Sequence, residues 1–327
     1  MRLRSILGAL FLMATLVQPS RVAAQDLDRD GLPDDLEQAL LERFLPTFVL
    51  SAGECDGRPA AFAPDVPDPL VERRDGTLYG HVRPHPTPAG DPVEMEVKFF
   101  HLWGRDCGRP SHALDVEHVS ALVTAPSVEA PLEQWEARYW YAAAHEDTIC
   151  DASSGAAATT LRATSTGPFV YVSKGKHASY LDRGHCKWGC GSDECDTGTA
   201  LPRAEIINLG ERDAPLNGAR WLASGRWALS SKLGLDFDAE RRAALDGADP
   251  HRVTALRLAL RAWQSPILGG DTGLDALVAA GEAAVAATEA AGQATATALA
   301  ASGRAVGLAL RKTTAGVARF LRLRRPD

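Results

Sequence analysis

The sequence lacks the short motifs that mark the most familiar enzyme classes. It contains no G-x-S-x-G nucleophile motif, no H-E-x-x-H zinc motif, no P-loop and no dinucleotide-binding fingerprint. These absences leave α/β-hydrolases, zinc proteases, P-loop nucleotide hydrolases and nicotinamide oxidoreductases without support. A function has to be sought in other arrangements of polar residues.

Long apolar runs are also lacking beyond the first residues. No stretch after residue 24 reaches the roughly 18 apolar residues that a membrane-spanning helix needs. Residues 1–24 combine basic Arg2 and Arg4, an apolar run over 6–17 and the small residues Val22-Ala23-Ala24, the pattern of a cleaved signal peptide. No cysteine follows closely, as a lipoprotein anchor would require. We predict an exported protein, periplasmic or extracellular.

The chain has no excess of basic residues. It contains 35 Lys and Arg against 42 Asp and Glu, a formal net charge of −7 at pH 7. Removal of the predicted signal peptide takes away Arg2, Arg4 and Arg21 and no acidic residue, so the charge goes from −7 to −10. An acidic exported protein is a poor candidate for binding nucleic acid and a reasonable one for binding cations.

All six cysteines follow the predicted signal peptide. They are Cys55, Cys107, Cys150, Cys186, Cys190 and Cys195. An even number in an oxidising compartment predicts up to three disulfides, but sequence does not choose among the 15 pairings. The cluster over 186–195 lacks the paired C-x2-C spacing of common zinc sites, so we predict a disulfide-stapled loop there.

Short strand-like runs predict a mainly β or α+β fold. Strands are expected over 93–99, 119–123, 134–145, 168–173 and 204–209, separated by glycine, proline and polar clusters. The first of these alternates apolar and charged residues, as a half-buried strand does. No regular strand–helix alternation is visible, which disfavours a doubly wound α/β fold. We predict an antiparallel β-sandwich core with flanking helices.

Alternation along 134–145 also predicts one shared face. The residues expected on that face are Trp135, Ala137, Tyr139, Tyr141, Ala143 and His145.

Helical spacing of apolar residues predicts the flanking helices. One is expected over 34–45, ended by Pro46, and another over 250–264. An alanine-rich stretch over 274–323 predicts a long helix or a helical hairpin. Its basic end is expected either to pack lightly on the domain or to contact an anionic membrane peripherally.

The predicted organisation has four parts. They are a signal peptide over 1–24, a calcium loop and helix over 25–45, a β-sandwich domain over 46–265, and an alanine-rich helical tail over 266–327.

The most specific motif begins at Asp26. Counted from there, carboxylates fall at positions one, three, five, nine and twelve, with Gly31 at six, which is the calcium-loop pattern of an EF-hand. The predicted ligands are Asp26, Asp28, Asp30, the Leu32 carbonyl, Asp34 and Glu37. Pro33 departs from the EF-hand, and Asp-Gly-Leu-Pro-Asp resembles the solitary calcium loops of exported bacterial proteins and thrombospondin type 3 repeats. We predict a structural calcium site. The alternative is a helix with an acidic first turn.

A second candidate metal site is the run from His112 to His118. On a strand, Asp115 and Glu117 share one face, and Val116 and His118 share the other. His112 is expected in the loop before the strand, folding back towards the two carboxylates. Two carboxylates and an imidazole suit a second divalent cation, calcium or magnesium. The alternative is a solvated strand edge whose charges never meet.

Two further histidines end predicted strands. His145 is followed by Glu146 and Asp147, and His177 follows the run over 168–173. Antiparallel strands would bring both histidines to the same rim as His112. They are the candidate general acids or bases if the protein is an enzyme. The alternative for each is a structural role.

Two family resemblances run through these residues. His112-x-x-Asp115-x-Glu117-His118-Val119 resembles the G-H-R-H-D-W-E-H-V region of necrosis-inducing NPP1-type proteins and the H-x-G-D-W-E-x-V motif of the Vps62-related family. The acidic N-terminal motif and the segment ending His177-Ala-Ser-Tyr180 are similar to Vps62-related proteins. The resemblance covers about residues 26–210 as separate segments. Val116 replaces the motif's tryptophan, and Ser111, after Pro110, replaces its leading Gly-His.

The NPP1 resemblance implies a β-sandwich that holds a divalent cation through His112, Asp115 and Glu117. Asp106 is the nearest match to that family's upstream acid ligand. The resemblance further implies docking to glycosylated sphingolipid headgroups through the cation, followed by membrane damage. We therefore expect a protein that binds a glycan or lipid headgroup. The alternatives are a metal-dependent hydrolase using His145 or His177, and a structural cell-envelope protein.

Overall fold

The computed structural model describes most of the chain between residues 25 and 256. The described ranges are 25–88, 91–108, 111–146, 150–189, 193–202, 205–210, 218–226, 229 and 232–256. The predicted signal peptide and the predicted alanine-rich tail lie outside the described residues. Within those ranges, the structure contains no helix with the length and apolarity needed to cross a membrane.

The described chain is mainly β, with two short α-helices. The strands are β1 Thr47–Leu50, β2 Ala61–Phe62, β3 Val71–Arg73, β4 Leu78–His85, β5 Val93–Asp106, β6 His112–Ala125, β7 Glu136–Ala142, β8 Ser154–Ala157, β9 Phe169–Val172, β10 Ser179–Tyr180, β11 Thr199–Ala200, β12 Ile206–Asn208 and β13 Thr254–Ala255. The helices are α1 Asp34–Arg43 and α2 Ala239–Asp246.

Two sheets form a sandwich. The larger has the strand order β12-β4-β5-β6-β7-β8-β13, and the smaller has the order β10-β9-β1-β11. Strands β2 and β3 form a separate short pair. Neighbouring strands run antiparallel except for β1 with β9 and β4 with β12. The predicted β-sandwich with flanking helices is confirmed for the described residues.

The main core lies between the two sheets and under α1. Val97, Phe99 and Val119 of the large sheet join Phe48 and Val170 of the small sheet in one buried cluster. Burying side chains of this size stabilises a fold by about 1.5–3 kcal/mol each. Trp103, near the end of β5, belongs to the same cluster and packs that end of the strand into the core.

The opposite face of the large sheet is covered as well. Trp221 and Leu222 pack against Phe100 and Leu102, and Phe237 joins another cluster nearby. The charged residues of the predicted half-buried strand are therefore buried, not solvated. They are Glu94, Glu96 and Lys98.

The shared face predicted over 134–145 was wrong. The register of β7 against β6 shifts between Leu122, which pairs with Tyr139, and Val123, which pairs with Ala137. Arg138 is thus an extra residue on β7, and such a bulge reverses the alternation. Trp135 and Ala137 lie in the inter-sheet core, whereas the two tyrosines and Ala143 lie in the cluster on the other face.

The helix predicted over 250–264 was also wrong in its described part. Residues 250–252 form a turn, and Thr254–Ala255 forms β13, which pairs with β8. The short helix in this region is α2, which Asp238 caps by accepting a hydrogen bond from the Arg241 N–H. Strand pairing outweighed the helical spacing of apolar residues.

Candidate functional site

The acidic loop before α1 is ordered by its own hydrogen bonds. Asp26 accepts the N–H groups of Arg29 and Gly31 at 2.7 and 3.2 Å, and Asp34 accepts that of Leu27 at 2.9 Å. Gly31 has φ +95°, a conformation that glycine adopts without strain. Leu32 anchors the loop through its buried side chain.

The loop brings its carboxylates together in two overlapping groups. Ligand oxygens of Asp26, Asp28 and Asp34 lie within 4.8 Å of one another, and so do those of Asp28, Asp30 and Glu37. Both groups contain Asp28, so the five acids form one continuous cluster. This arrangement could hold a metal ion.

Glu37 is the innermost acid of the loop and is fully buried. Its Oε2 accepts a hydrogen bond from the Asn208 amide at 3.3 Å, while no described residue donates one to Oε1. Burial and the charges of Asp28 and Asp30 raise the pKa of Glu37 to about 9. A buried carboxylate aimed at two others has the chemistry of a cation ligand.

The second cluster lies at the end of the β5–β6 hairpin. We call Asp106, His112 and Asp115 the rim cluster, because their ligand atoms lie within 4.8 Å of one another. His112 was predicted in a loop, but it is the first residue of β6 and pairs with Asp106 of β5. Its Nε2 lies 3.2 Å from Asp106 Oδ2, and its side chain is 53% exposed.

A backbone irregularity places His112 and Asp115 together. Residues three apart on a regular strand face opposite sides. Leu114 between them has φ +60°, which interrupts the alternation. A left-handed conformation is strained for a residue of this type, and such strain concentrates at functional sites.

The buried imidazole of His177 holds Asp115 on the interior side of the rim cluster. His177 Nδ1 bonds to Asp115 Oδ2 at 2.8 Å, and its Nε2 lies 3.3 Å from Glu54 Oε1. Glu54 in turn accepts the Gly175 N–H. Burial opposes protonation of His177, but the hydrogen bond to Asp115 and the negative charges of Asp115 and Glu54 outweigh it and raise its pKa to about 9. The imidazolium therefore fixes Asp115 in its ionised form.

Aromatic packing fixes this imidazole in turn. The Trp103 ring stacks on His177 with centroids 3.8 Å apart and planes 7° from parallel. The Trp103 indole N–H donates to His101 Nδ1 at 2.9 Å, which leaves His101 Nε2 to donate to Ser179 Oγ at 2.7 Å. Burial and the nearby charge of His177 lower the pKa of His101 to about 3, so this ring is neutral.

Glu117 shares the face of Asp115, as predicted, but has a different neighbour. The register pairs Asp115 with Trp103 and Glu117 with His101, which puts both acids on one side of the sheet. Lys232 Nζ lies 3.8 Å from Glu117 Oε2 and donates to the Val116 carbonyl at 2.8 Å. Among the described residues, Glu117 joins no group of ligand atoms within 4.8 Å.

The two predicted rim histidines differ in position. His177 contacts the rim cluster through Asp115. His145 has φ +53° and bonds instead to Asp193 Oδ2 at 2.7 Å, and Asp193 also accepts the Tyr180 hydroxyl. Asp147 lies outside the described residues.

A third acidic group lies on the other face of β6. Ligand atoms of His118, Glu146 and Asp236 lie within 4.8 Å. Lys98 Nζ is already 2.9 Å from Asp236, and Arg241 donates to Glu146 at 2.5 Å. These cations balance the acids, so the group is a buried charge network.

Disulfides join loop residues next to the rim cluster and across the segment 186–195. Cys55–Cys107 joins the residues that directly follow Glu54 and Asp106, with Cα atoms 6.5 Å apart. Cys186–Cys195 closes the predicted loop, which confirms that prediction. None of the described cysteines is free.

Sequence reasoning missed several residues of the site. Glu54, Trp103 and Lys232 carry no local motif, and only tertiary contacts bring them to the rim. The cysteines offered one usable signal, because Glu54 and Asp106 each precede a cysteine, and a Cys55–Cys107 pairing would have drawn them together.

Comparisons with known proteins give weak similarities. No family model matches the chain, and no curated protein matches it. The solved structures include NLPPya in complex with glucosamine, at 18% identity over 69% of this chain and 99% of that chain, with a TM-score of 0.36. NLPPya in complex with mannosamine has 16% identity over 69% and 99%, with a TM-score of 0.36. Necrosis and Ethylene inducing Protein 2, from the causal agent of cocoa's Witches Broom disease, has 14% identity over 69% and 98%, with a TM-score of 0.35. Similarities at this level assign no function.

Proposed function

We propose that this chain is an exported protein that binds a divalent cation at the rim cluster and engages a glycan or lipid headgroup through it. The observation that carries the proposal is that ligand atoms of Asp106, His112 and Asp115 lie within 4.8 Å of one another. The resemblance of the His112-to-Val119 run to the NPP1-type motif supports the same residues. Asp106 is the nearest match to that family's upstream acid.

The surroundings of the rim cluster suit a cation. The inner side of Asp115 is fixed by His177, so its carboxylate does not have to be ordered when an ion binds. His112, on the outer side, is half exposed, which leaves solvent access for a ligand. Oxygen ligands of two acids favour calcium or magnesium, and a bound ion would offer positive charge to glycan hydroxyls or headgroup oxygens.

Two cavities of the described surface lie away from the rim cluster. A cavity of about 370 Å³ is lined by Arg43, Pro46 and Leu201, and another of about 150 Å³ by Tyr139 and Leu245. Neither includes a residue of the rim cluster. His145, the more exposed candidate acid or base, is bound to Asp193.

We also propose that the loop from Asp26 to Glu37 holds a structural calcium ion. The overlapping acid groups and the buried Oε1 of Glu37 support this role. The predicted membrane contact through the basic C-terminal end stays a prediction, since those residues lie outside the described ranges.

Co-sedimentation with vesicles tests the headgroup proposal. The protein is expected to bind vesicles that contain glycosylated sphingolipid when calcium or magnesium is present, and to be released by chelator. Asp115→Asn should abolish binding. Asp249→Asn, which changes an exposed acid on a distant turn, should bind normally. Binding that survives both chelator and Asp115→Asn would exclude a role for the rim cation.

A further inference from the structure

Lys232 hydrogen-bonds to a backbone carbonyl of β6 at an edge of the large sheet, beside the rim cluster. Pairing of β6 with β7 ends at Val119 and Ala142, and the Ala143 N–H then donates to the His118 carbonyl. Beyond this point, Lys232 Nζ donates to the Val116 carbonyl at 2.8 Å. A side-chain ammonium thus takes the place of a strand's N–H group.

The segment that carries Lys232 is clamped to the sheet by buried charges. Glu96 accepts the N–H groups of Asp236 and Phe237 at 2.8 and 3.0 Å. Lys98 donates to the carbonyls of Lys232 and Gly234 at 2.9 and 2.6 Å. Because Glu96 and Lys98 are almost fully buried, the position of Lys232 is set by the interior of the protein.

This position puts a positive charge beside the inner acid of the predicted metal motif. Lys232 Nζ lies 3.8 Å from Glu117 Oε2, too far for a hydrogen bond. Glu117 is 5% exposed, and no described residue donates a hydrogen bond to Oε2. Salt screens a buried pair of this kind only weakly. The ammonium therefore balances the charge that a metal ion would otherwise balance.

We propose that Lys232 is a tethered cation that keeps Glu117 out of metal coordination and so sets the affinity and position of the ion at the rim. This inference rests on the proposed function of the rim cluster. A divalent ion moving towards Glu117 meets the fixed positive charge of Lys232. The ion is thereby confined to the outer ligands Asp106, His112 and Asp115, where an external ligand can reach it.

Manganese titration of charge variants tests the inference. The titrations use full-length protein with Asp28→Asn and Asp30→Asn, which silence the N-terminal loop, at pH 8. Lys232→Gln keeps an N–H donor for the Val116 carbonyl and removes the charge, and Lys232→Met removes both. Each is expected to bind Mn²⁺ about tenfold more tightly or better. Adding Glu117→Gln to Lys232→Gln should reverse most of this gain.

Matched controls separate charge from structure. Lys232→Arg keeps the charge and should bind like the parent, as should Lys187→Met at an exposed site. Thermal unfolding of each variant establishes that it is folded. Unchanged or weaker binding in Lys232→Gln and Lys232→Met would overturn the inference.

The wild-type protein offers an independent test that needs no substitution. In crystals soaked with Mn²⁺, the ion at the rim is expected without a bond to Glu117, and a bond to either Glu117 oxygen would overturn the inference. If Asp115→Asn abolishes Mn²⁺ binding while Lys232→Gln changes nothing, the inference fails and the proposed function stands. If no protein binds Mn²⁺ at the rim, both fail.

Discussion

Replacing Glu37 by Gln tests the proposed calcium loop by removing one buried charge with little change of shape. Ligand oxygens of Asp28, Asp30 and Glu37 lie within 4.8 Å of one another. Two like charges at that separation repel by about 3.5 kcal/mol at an effective dielectric constant of about 20. Without a metal, each ionised pair destabilises the folded protein by a free energy of this order, unless Glu37 is protonated. In chelator, Glu37→Gln is therefore expected to be at least as stable as the wild type.

In calcium, the wild type should become more stable than Glu37→Gln. An ion that binds only the folded state at one hundred times its Kd stabilises it by about 2.7 kcal/mol. For a domain of this size that is a rise in Tm of about 5–11 °C. Glu37→Gln lacks the acid that closes the loop, so its rise should be less than about a third of the wild-type value.

Thermal unfolding followed by circular dichroism, first in chelator and then in calcium, measures both effects. Glu240→Gln is the matched control, because Glu240 is an exposed acid in the first turn of α2. It should respond to calcium like the wild type. A wild-type Tm that calcium does not change, or an equal rise in Glu37→Gln, would refute the reasoning.

The remaining predictions concern buried charges and cysteines. His177→Ala leaves Asp115 and Glu54 without their shared partner and should lower the free energy of unfolding by about 3–5 kcal/mol in urea, as well as weaken cation binding at the rim. Asp236→Asn removes the nearer of the two carboxylates beside Lys98, leaving Glu96 at 3.5 Å, and should lower the free energy of unfolding by about 1.5–3 kcal/mol. Although burial opposes ionisation, Lys98 holds the pKa of Asp236 well below its usual range. The stabilisation is thus complete above the unfolded pKa of about 3.9 and fades as the pH falls further, so wild type and variant should converge in acid-unfolding curves. Thiol titration of unfolded, unreduced protein should find no free cysteine, and bound zinc together with free thiols would contradict this.

Local pattern predicted the fold class, five of the thirteen described strands and one of the two described α-helices. Alternation and turn residues located β5, β6, β9 and β12, and the acidic start located α1. The prediction failed where a single residue changed the geometry, as Arg138 does by adding a bulge to β7. It also failed at 250–256, where pairing with β8 overrides helical spacing.

The candidate site was predictable only in its local part. The spacing of Asp115 and Glu117 on one strand predicted that they share a face. The positions of the N-terminal acids in the calcium-loop pattern predicted that they lie together. The contact of His177 with Asp115 spans 62 residues of chain. Such contacts depend on how two sheets pack, which no local pattern contains. The contact of Lys232 with Glu117 is also long-range, and it depends on how the segment over 232–237 packs on the large sheet.

The most direct test of the account is anomalous diffraction from crystals of the wild-type protein soaked in Mn²⁺. We predict one peak within bonding distance of Asp106, His112 and Asp115, and loss of that peak in Asp115→Asn. A separate peak is expected among Asp28, Asp30 and Glu37, and it should persist in the variant. Full occupancy of the N-terminal loop with no ion at the rim would contradict the central claim that these three residues form a cation site.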